Sequence, residues 1–370
     1  GCGEILLTLA RSEANISDGR GLSLFISERS EKIKVRHLEK KLGIHGSPTC
    51  ELVYEDAPAR LVGERQRGLI TYVLALMNGA RVGIAAQSLG IAEAAYRLAR
   101  TYAHTRHQFN RPIEQIPPVA EMLIDMNVAI QAARALTYET CCICDRENNT
   151  LRLMEVGQDS LDKDELKKLK QNSRQYKRLN SMMTPMSKYY ASEMCCEVSD
   201  TAIQVLGGSG YMQDYAAERH LRDARITTIY EGTSQLQILA AEKGVTSGTF
   251  EKYVEDFESI EYADDQLATL KQKLIDGKQT LQEAIQFVKT KPTSYLDLSG
   301  RRLVDSALVI IIGHLLLKQA AASEEKKCVA RRFIEHQLPV LRMNCETILA
   351  HDLAPIEEFE ALAGPVPSLD

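Results

Sequence analysis

Long amphipathic helical patterns begin at Gly68, and they most constrain what this chain can fold into. The first pattern, residues 68–106, is rich in alanine and glycine, and small residues let neighbouring helices approach closely. A second pattern of similar length covers residues 119–148, and a third helical stretch ends at the paired glycines Gly207 and Gly208. Amphipathic helices of this length must bury their apolar faces. The sequence therefore predicts a helical bundle.

The regions on either side of this bundle differ from it and from each other. Residues 1–67 contain short apolar or alternating runs separated by Gly, Pro, Ser and Asp, which predict β-strands. Residues 154–178 are strongly charged, which indicates a solvated helix or an inserted loop and helix. Beyond Thr249 three more helical patterns follow, which we expect to pack around a core of their own. The predicted fold is mainly α: a partial β domain, a central helical bundle and a second helical bundle.

Composition excludes several classes of function. The net charge is −5 and the pI about 6.0, which does not indicate a nucleic-acid binder or a protein of anionic membrane surfaces. The longest apolar run, ALVIIIGHLLL, is shorter than a bilayer requires and contains His314. Cys141 and Cys144 form a Cys-x-x-Cys inside a helical pattern, and no second pair completes a zinc site. We therefore expect a cytoplasmic protein without a membrane span or a metal.

The stretch IYEGTSQLQ places an acidic residue at the entrance to a helix. The β-branched residues 227–229 favour an extended backbone, and Gly232 permits a turn. Ser234 followed by Gln237 fits a capping box, so a helix should begin there. Glu231 would then lie just outside a helix N-terminus. Taken alone, that position favours a carboxylate that only complements the helix dipole. It also allows a base held on a hinge.

Two further stretches have ordinary structural explanations when each is taken alone. RHQFNRPIEQIPP, which begins at Arg106, is a basic, aromatic loop that ends at prolines and connects two long helices. QVLGGSGYMQDY, which begins at Gln204, resembles a glycine C-cap and turn. It is no dinucleotide-binding fingerprint, because a helix precedes it rather than a strand.

Taken together and in this order, RHQFNRP, QVLGGSG and RDARITTIYEGT resemble the acyl-CoA dehydrogenase family. The second and third blocks match the family pattern almost residue for residue. The resemblance covers residues 1–245 and, more loosely, the C-terminal helices, which resemble a bacterial subgroup with an added helical domain that includes methylthiopropanoyl-CoA dehydrogenases. It implies three domains: the C-terminal part of the middle β domain at 1–67, the helical FAD and acyl-CoA domain at 68–245, and an additional helical domain at 246–370.

The resemblance implies an FAD-dependent enzyme that desaturates an acyl-CoA thioester between its α and β carbons. Glu231 corresponds to the catalytic base, which removes the α-proton as hydride passes to flavin N5. The residues that correspond to cofactor ligands are Arg106, Gln204, Gly207, Gly208, Thr233 and Gln235. The residues that correspond to substrate contacts are Asn78, Arg81 and Gly232.

The sequence departs from the family pattern at three places. Asn110 stands where glycine is usual, Ile116 and Pro117 replace a Phe-Gln pair, and Asn78 replaces a common aspartate. These departures affect the expected contacts to the cofactor and to CoA.

The resemblance also implies partners and leaves alternatives open. Electron-transfer flavoprotein would accept the electrons, and the chain would form a homodimer or homotetramer, because Arg106 and the Gln204–Gly208 loop serve a neighbour's FAD in the family. An acyl-CoA oxidase of the same fold and a non-catalytic helical assembly fragment are the alternatives. The family's N-terminal helical domain and the first half of its β domain have no counterpart in this sequence. We therefore expect the chain alone to bind FAD poorly and to be inactive.

Overall fold

The computed structural model describes residues 1–156 and 162–367, except for the side chain of Asn78. Five strands occupy the N-terminal part: β1 (Ile5–Arg11), β2 (Leu22–Glu28), β3 (Ile33–Leu38), β4 (Cys50–Tyr54) and β5 (Arg60–Val62). They form two antiparallel sheets, in the orders β1-β2-β5 and β3-β4. The predicted strand region is confirmed.

Long helices make up most of the rest of the described chain, and a mainly α fold is confirmed. After a π-helical turn at Gly68–Val73, the helices are α1 (Leu74–Thr105), α2 (Pro117–Val156), α3 (Lys163–Leu206), α4 (Gly208–Tyr211), α5 (Ala217–Arg225) and α6 (Ser234–Thr246). A two-stranded hairpin, β6 (His107–Gln108) and β7 (Arg111–Pro112), follows α1. The chain continues with α7 (Thr249–Glu258), α8 (Asp265–Lys289), α9 (Thr293–Ala320), α10 (Glu324–Leu349), α11 (Ala354–Glu357) and α12 (Phe359–Ala363).

The charged segment that was predicted as a helix or an insertion is, from Lys163 onward, the exposed beginning of α3. Asp162 caps this helix: its carboxylate accepts hydrogen bonds from the backbone N–H groups of Asp164 and Glu165, and the Glu165 carboxylate accepts one from the N–H of Asp162. The cap and the acidic first turn suit a helix N-terminus. α3 then runs on without a break to Leu206, so one helix connects the charged surface with the centre of the bundle.

Small side chains bring α1 against its neighbours, as the sequence predicts. Ala85, Ala92, Ala95, Ala99 and Ala103 are all fully buried along one face of α1. They belong to a core cluster that also contains residues of α2, α3 and α5. Alanines at spacings of three, four and seven residues form one helical stripe. That stripe allows α1 and α3 to pack closely along their length.

The expectation of a separate C-terminal core is wrong. A second cluster joins Leu136 of α2, Met186 of α3 and Ile238 of α6 to the apolar side chains of α7–α10, with Leu274 and Leu303 among them. Helix periodicity shows which face of each helix is apolar, but it does not show which faces meet. The domain limits at residues 67 and 245 therefore remain predictions, since one continuous core crosses residue 246.

Within the part of the chain that the structure describes, two helical segments are long and apolar enough, by length and composition alone, to cross a bilayer. The apolar window in α9 is 83% buried, as in the core helix of a soluble bundle. The corresponding window in 68–105 is 6% buried. The absence of a membrane span thus remains a prediction.

Candidate active site

The turn before α6 has an unusual backbone. Glu231 has a φ of 53° and Gly232 a φ of 89°, so two successive residues adopt left-handed conformations. Glycine does so readily, but a residue with a side chain does so at a cost. Such strain persists only where the surroundings enforce it, and it is concentrated at functional sites. We call residues 230–233 the Glu231 turn.

Buried donors on two helices hold the carbonyl groups of this turn. Gln237 of α6 donates from Nε2 to the Glu231 carbonyl at 3.2 Å and to the Gly232 carbonyl at 3.0 Å. Lys188 of α3 donates from Nζ to the Gly232 carbonyl at 2.8 Å. Tyr230 donates to Gln87 of α1. Contacts from three helices therefore fix the turn.

The predicted capping box is wrong by one residue. Thr233 is the N-cap of α6, and its hydroxyl accepts a hydrogen bond from the Leu236 N–H at 3.4 Å. Ser234 instead donates to the carboxylate of Glu193 on α3. The Gln237 amide folds back onto the turn, where the two left-handed residues present their carbonyls. The helix start itself is at Ser234, as predicted.

The extended backbone that was expected over residues 227–229 is also absent. Ile226–Thr228 form a single 3₁₀ turn. The hydroxyl groups of Thr227 and Thr228 donate to the carbonyls of Ala224 and Arg225, at 2.7 and 3.1 Å. Hydroxyl groups that bond to the preceding turn compete with an extended conformation.

Charged groups face the Glu231 carboxylate from two helices. Glu231 is half-buried, and it interacts electrostatically with Arg81 of α1 and Lys188 of α3. Burial lowers the pKa of the Arg81 guanidinium, and the charge of Glu231 acts in the opposite direction. Burial also lowers the pKa of Lys188, to about 8, with Glu193 and Glu231 opposing that change. The structure thus brings the predicted residues Glu231, Gly232 and Arg81 together, whereas the Asn78 side chain lies outside the described residues.

A cavity of about 460 Å³ opens beside the first turn of α6. Its lining includes the predicted residues Thr233 and Gln235, together with Arg225 and Arg301. Arg301 comes from α9, so a C-terminal helix contributes a guanidinium group to this cavity. Two guanidinium groups beside a helix N-terminus favour an anionic group, although the carboxylate of Glu193 also lines the cavity.

The remaining predicted residues lie at the far ends of α1 and α3. Arg106 follows α1 and has an exposed side chain, and Gln204, Gly207 and Gly208 are exposed where α3 ends. Tyr102 of α1 donates to Ser209 at 3.3 Å, so these two helix ends are adjacent. Residue 204 lies 16 residues beyond residue 188 on the same helix, or roughly 24 Å at 1.5 Å per residue. The predicted residues therefore form two separate groups.

The glycines of this second group are open to their surroundings. Gly207 has a φ of 61° and ends α3. A Cβ atom built on Gly207 or Gly208 would meet no described atom within 4 Å. Phe109, at the tip of the neighbouring hairpin, is 82% exposed. This end of the bundle is accessible to another molecule or another chain.

Other titratable groups lie away from both turns. His314 of α9 is fully buried and stacks on Phe257, and neither ring nitrogen has a hydrogen-bond partner among the described residues. Burial, with Lys278 and Lys271 nearby, lowers its pKa to about 4. This environment is that of a histidine packed in a core rather than of a ligand or a catalytic group. In the described part of the chain, no group of three or more His, Cys, Asp or Glu side chains could hold a metal.

A larger groove, of about 1020 Å³, lies between the charged start of α3 and α7. It contains none of the predicted site residues, so its size does not make it the candidate active site.

Sequence reasoning missed Lys188, Arg225 and Arg301. It placed Gln237 in a capping box rather than against the carbonyls of the Glu231 turn. Lys188 had one available signal. It is the single cation in residues 182–194, MMTPMSKYYASEM, where Glu193 is the other charged residue. Arg301 had none, because only the tertiary packing of α9 against α6 brings it to the cavity.

The chain is similar to acyl-CoA dehydrogenases over most of its length. A family model described as acyl-CoA dehydrogenase, C-terminal domain, matches residues 67–158 and 166–246, and one described as acyl-CoA dehydrogenase C terminal matches residues 246–335. An acyl-CoA dehydrogenase of Bacillus subtilis is 36% identical over 67% of this chain and 58% of its own length. A short-chain-specific acyl-CoA dehydrogenase of Clostridium acetobutylicum is 37% identical over 60% of this chain and 51% of its own length. The chain spans about half the length of the curated relatives it matches.

Solved structures show the same arrangement of helices. The structure of ACDH-11 from Caenorhabditis elegans, in complex with C11-CoA, superposes with a TM-score of 0.78 at 26% identity, over 96% of this chain and 61% of that protein. An acyl-CoA dehydrogenase of Bacillus anthracis, complexed with FAD, has a TM-score of 0.71 over 99% of this chain and 65% of that protein; at 22% identity it shows the fold alone. The methylthiopropanoyl-CoA subgroup remains a prediction. From these matches and the three sequence blocks, the chain belongs to the acyl-CoA dehydrogenase family.

Proposed function

We propose that this chain carries the catalytic turn of an FAD-dependent acyl-CoA dehydrogenase and that Glu231 removes the α-proton of an acyl-CoA thioester. The observation that carries the proposal is the strained Glu231 turn, held by buried donors at the entrance to α6. The α-proton of a thioester is weakly acidic, so its removal requires a base at a fixed position. A carboxylate on a rigid, half-buried turn meets that requirement.

The backbone of the same turn can assist the reaction. No described group accepts a hydrogen bond from the backbone N–H of Glu231 or Gly232. Negative charge develops on the thioester oxygen as the α-proton leaves, and free N–H groups stabilise such charge. We infer that the Glu231 N–H holds the thioester oxygen while its carboxylate takes the proton. Arg81 lies near enough to interact electrostatically with Glu231.

The residues present fit parts of FAD. Thr233 and Gln235 offer hydrogen-bonding groups beside the 460 Å³ cavity, and Arg225 and Arg301 offer positive charge suited to phosphate. Gly207 and Gly208 leave room for a group to approach the backbone closely. When bound, FAD supplies the acceptor for the β-hydride.

The two groups of predicted residues support a site that two chains share. Arg106 and the Gln204–Gly208 segment lie roughly 24 Å along the helices from the Glu231 turn. We infer that they contact a neighbour's FAD in a homodimer or homotetramer. We also propose that electron-transfer flavoprotein accepts the electrons from the reduced flavin and that the protein is cytoplasmic. An acyl-CoA oxidase would differ in passing its electrons to dioxygen, which oxygen consumption by the reduced enzyme reveals.

The test is a Glu231→Gln substitution in the full-length protein. We expect the variant to retain its fold and FAD, whereas a panel of acyl-CoAs should no longer bleach its flavin absorbance. The exposed Glu255→Gln serves as the matched control and should be bleached as fast as the wild type. Bleaching of Glu231→Gln at the wild-type rate would refute the assignment, and a wild-type protein that no acyl-CoA bleaches would favour the non-catalytic alternative.

A further inference from the structure

Lys188 is a fully buried cation inside the bundle. It lies on α3 among buried neighbours, and its one described hydrogen-bond acceptor is the Gly232 carbonyl, at 2.8 Å. Burial of an ammonium group is costly unless a partner compensates it. Its position therefore calls for an explanation, and the acceptor links Lys188 to the Glu231 turn across 44 residues of sequence.

We propose that Lys188 is a positioning residue that holds the Glu231 turn in its left-handed conformation and so fixes the place of the Glu231 carboxylate. This inference rests on the function proposed above for Glu231. Lys188 and Gln237 approach the Gly232 carbonyl from different helices. Two donors on one carbonyl fix the direction of the Gly232–Thr233 peptide group, and Glu231 is the residue immediately before Gly232.

The charges around Lys188 suit this role. Glu193 on α3 and Glu231 on the turn attract the ammonium group, and Arg81 on α1 repels it. Its pKa of about 8 keeps the side chain largely charged at neutral pH. A charged donor makes a stronger hydrogen bond than a neutral amine. The hold on the turn should therefore weaken as pH rises above about 8.

Deprotonation of Lys188 should weaken its hold on the turn, but it should not lower the stability of the folded state. The folded-state pKa of Lys188 lies below its ordinary value of 10.5. Between these two values the unfolded chain binds more protons, so loss of this proton stabilises the folded state as pH rises. A fall in activity above pH 8 with no fall in stability would thus indicate positioning rather than unfolding.

The first experiment compares Lys188→Met with Lys188→Arg and Lys271→Met in the full-length protein. Lys271 is a matched control because its Nζ also donates to backbone carbonyls, those of Glu258 and Ile260, away from the Glu231 turn. We expect Lys188→Met to slow flavin bleaching about 10- to 100-fold, with acyl-CoA affinity changed less than threefold, because small displacements of a base are costly. Lys188→Arg should restore most of the rate and move the alkaline limit above pH 8, since guanidinium stays charged.

The second experiment needs no substitution and decides the matter if Lys188→Met does not fold. Amide hydrogen exchange of the wild type at pH 7 and pH 9.5, corrected for intrinsic rates, should show lost protection at Leu236 and Gln237, whose N–H groups donate to Thr233. Protection at Gly210 and Met212, which donate within the other helix end, should not change. Equal protection of the turn at both pH values would overturn the proposal, as would a Lys188→Met protein with wild-type bleaching. If Glu231→Gln is inactive and Lys188→Met is not impaired, only this inference fails. If Glu231→Gln is active, the proposed function fails, while hydrogen exchange still reports whether Lys188 holds the turn.

Discussion

The Glu231 turn and the Gly207 turn, which we define as residues 206–209, differ in whether side chains of the same chain pack against their glycines. Each contains a glycine with positive φ, and each follows a helical segment. A Cβ atom on Gly232 would lie 2.7 Å from Gln237 Nε2, whereas one on Gly207 would meet nothing within 4 Å. Side chains of the same chain close the first turn. The second turn is open, which is what a surface that receives another chain's cofactor requires.

Two effects act on a substituted glycine: the backbone strain of a positive φ, and the contact of the added methyl group with neighbouring atoms. Both turns should lose stability when glycine becomes alanine, by about 1 kcal/mol from positive φ alone. Only Gly232→Ala also displaces Gln237, which holds two carbonyls of the turn. We therefore expect Gly232→Ala to slow flavin bleaching about 100-fold and to lower the melting temperature further than Gly207→Ala does.

Thermal unfolding and bleaching by acyl-CoA measure these two effects separately. If Gly232→Ala and Gly207→Ala cost the same stability and the same bleaching rate, the Glu231 turn is not held in the way the contacts indicate.

A smaller effect tests whether the Gly207 turn receives a ligand at all. Gly208 has ordinary φ and open space around it, so Gly208→Ala should change the free energy of unfolding by less than about 0.5 kcal/mol. A methyl group there should still weaken FAD binding about tenfold, because it would stand between the backbone and a neighbour's cofactor.

Gly90→Ala is the matched control for this substitution. Gly90 lies on α1, also with nothing within 4 Å of an added Cβ, and it carries no predicted contact. Equal FAD affinity of Gly208→Ala, Gly90→Ala and the wild type, measured by flavin retention on dilution, would argue that no cofactor approaches the Gly207 turn.

Sequence reasoning succeeded where the determining physics is local. Gly232 and Gly207 both adopt the left-handed backbone that a glycine turn implies, and α6 begins at Ser234. The N-cap was misplaced because Ser234 and Thr233 are chemically equivalent caps. Only the three-dimensional surroundings decide between them: the Ser234 hydroxyl donates to Glu193, and the Thr233 hydroxyl accepts the capping hydrogen bond.

The tertiary partners of Lys188 and Arg301 had no local signal. Lys188 is one cation in a helix, and nothing within several residues indicates that its acceptor is the carbonyl of Gly232. Arg301 reaches the cavity because α9 packs against α6 within one continuous core. The predicted independence of the C-terminal core was wrong for the same reason, since periodicity describes the faces of helices and not their partners.

The most direct test of the account is whether one chain's Glu231 turn works with another chain's Arg106. Chains with Arg106→Ala and chains with Glu231→Gln would carry different affinity tags, so that mixed dimers can be purified. In a mixed dimer, one of the two shared sites contains both an intact Glu231 and an intact Arg106, and the other site contains neither. The account predicts that each parent variant is impaired and that the mixed dimer recovers about half of the wild-type bleaching rate, because one of two equivalent sites is whole. A mixed dimer no more active than the average of the two parent variants would contradict it, since Arg106 would then serve its own chain.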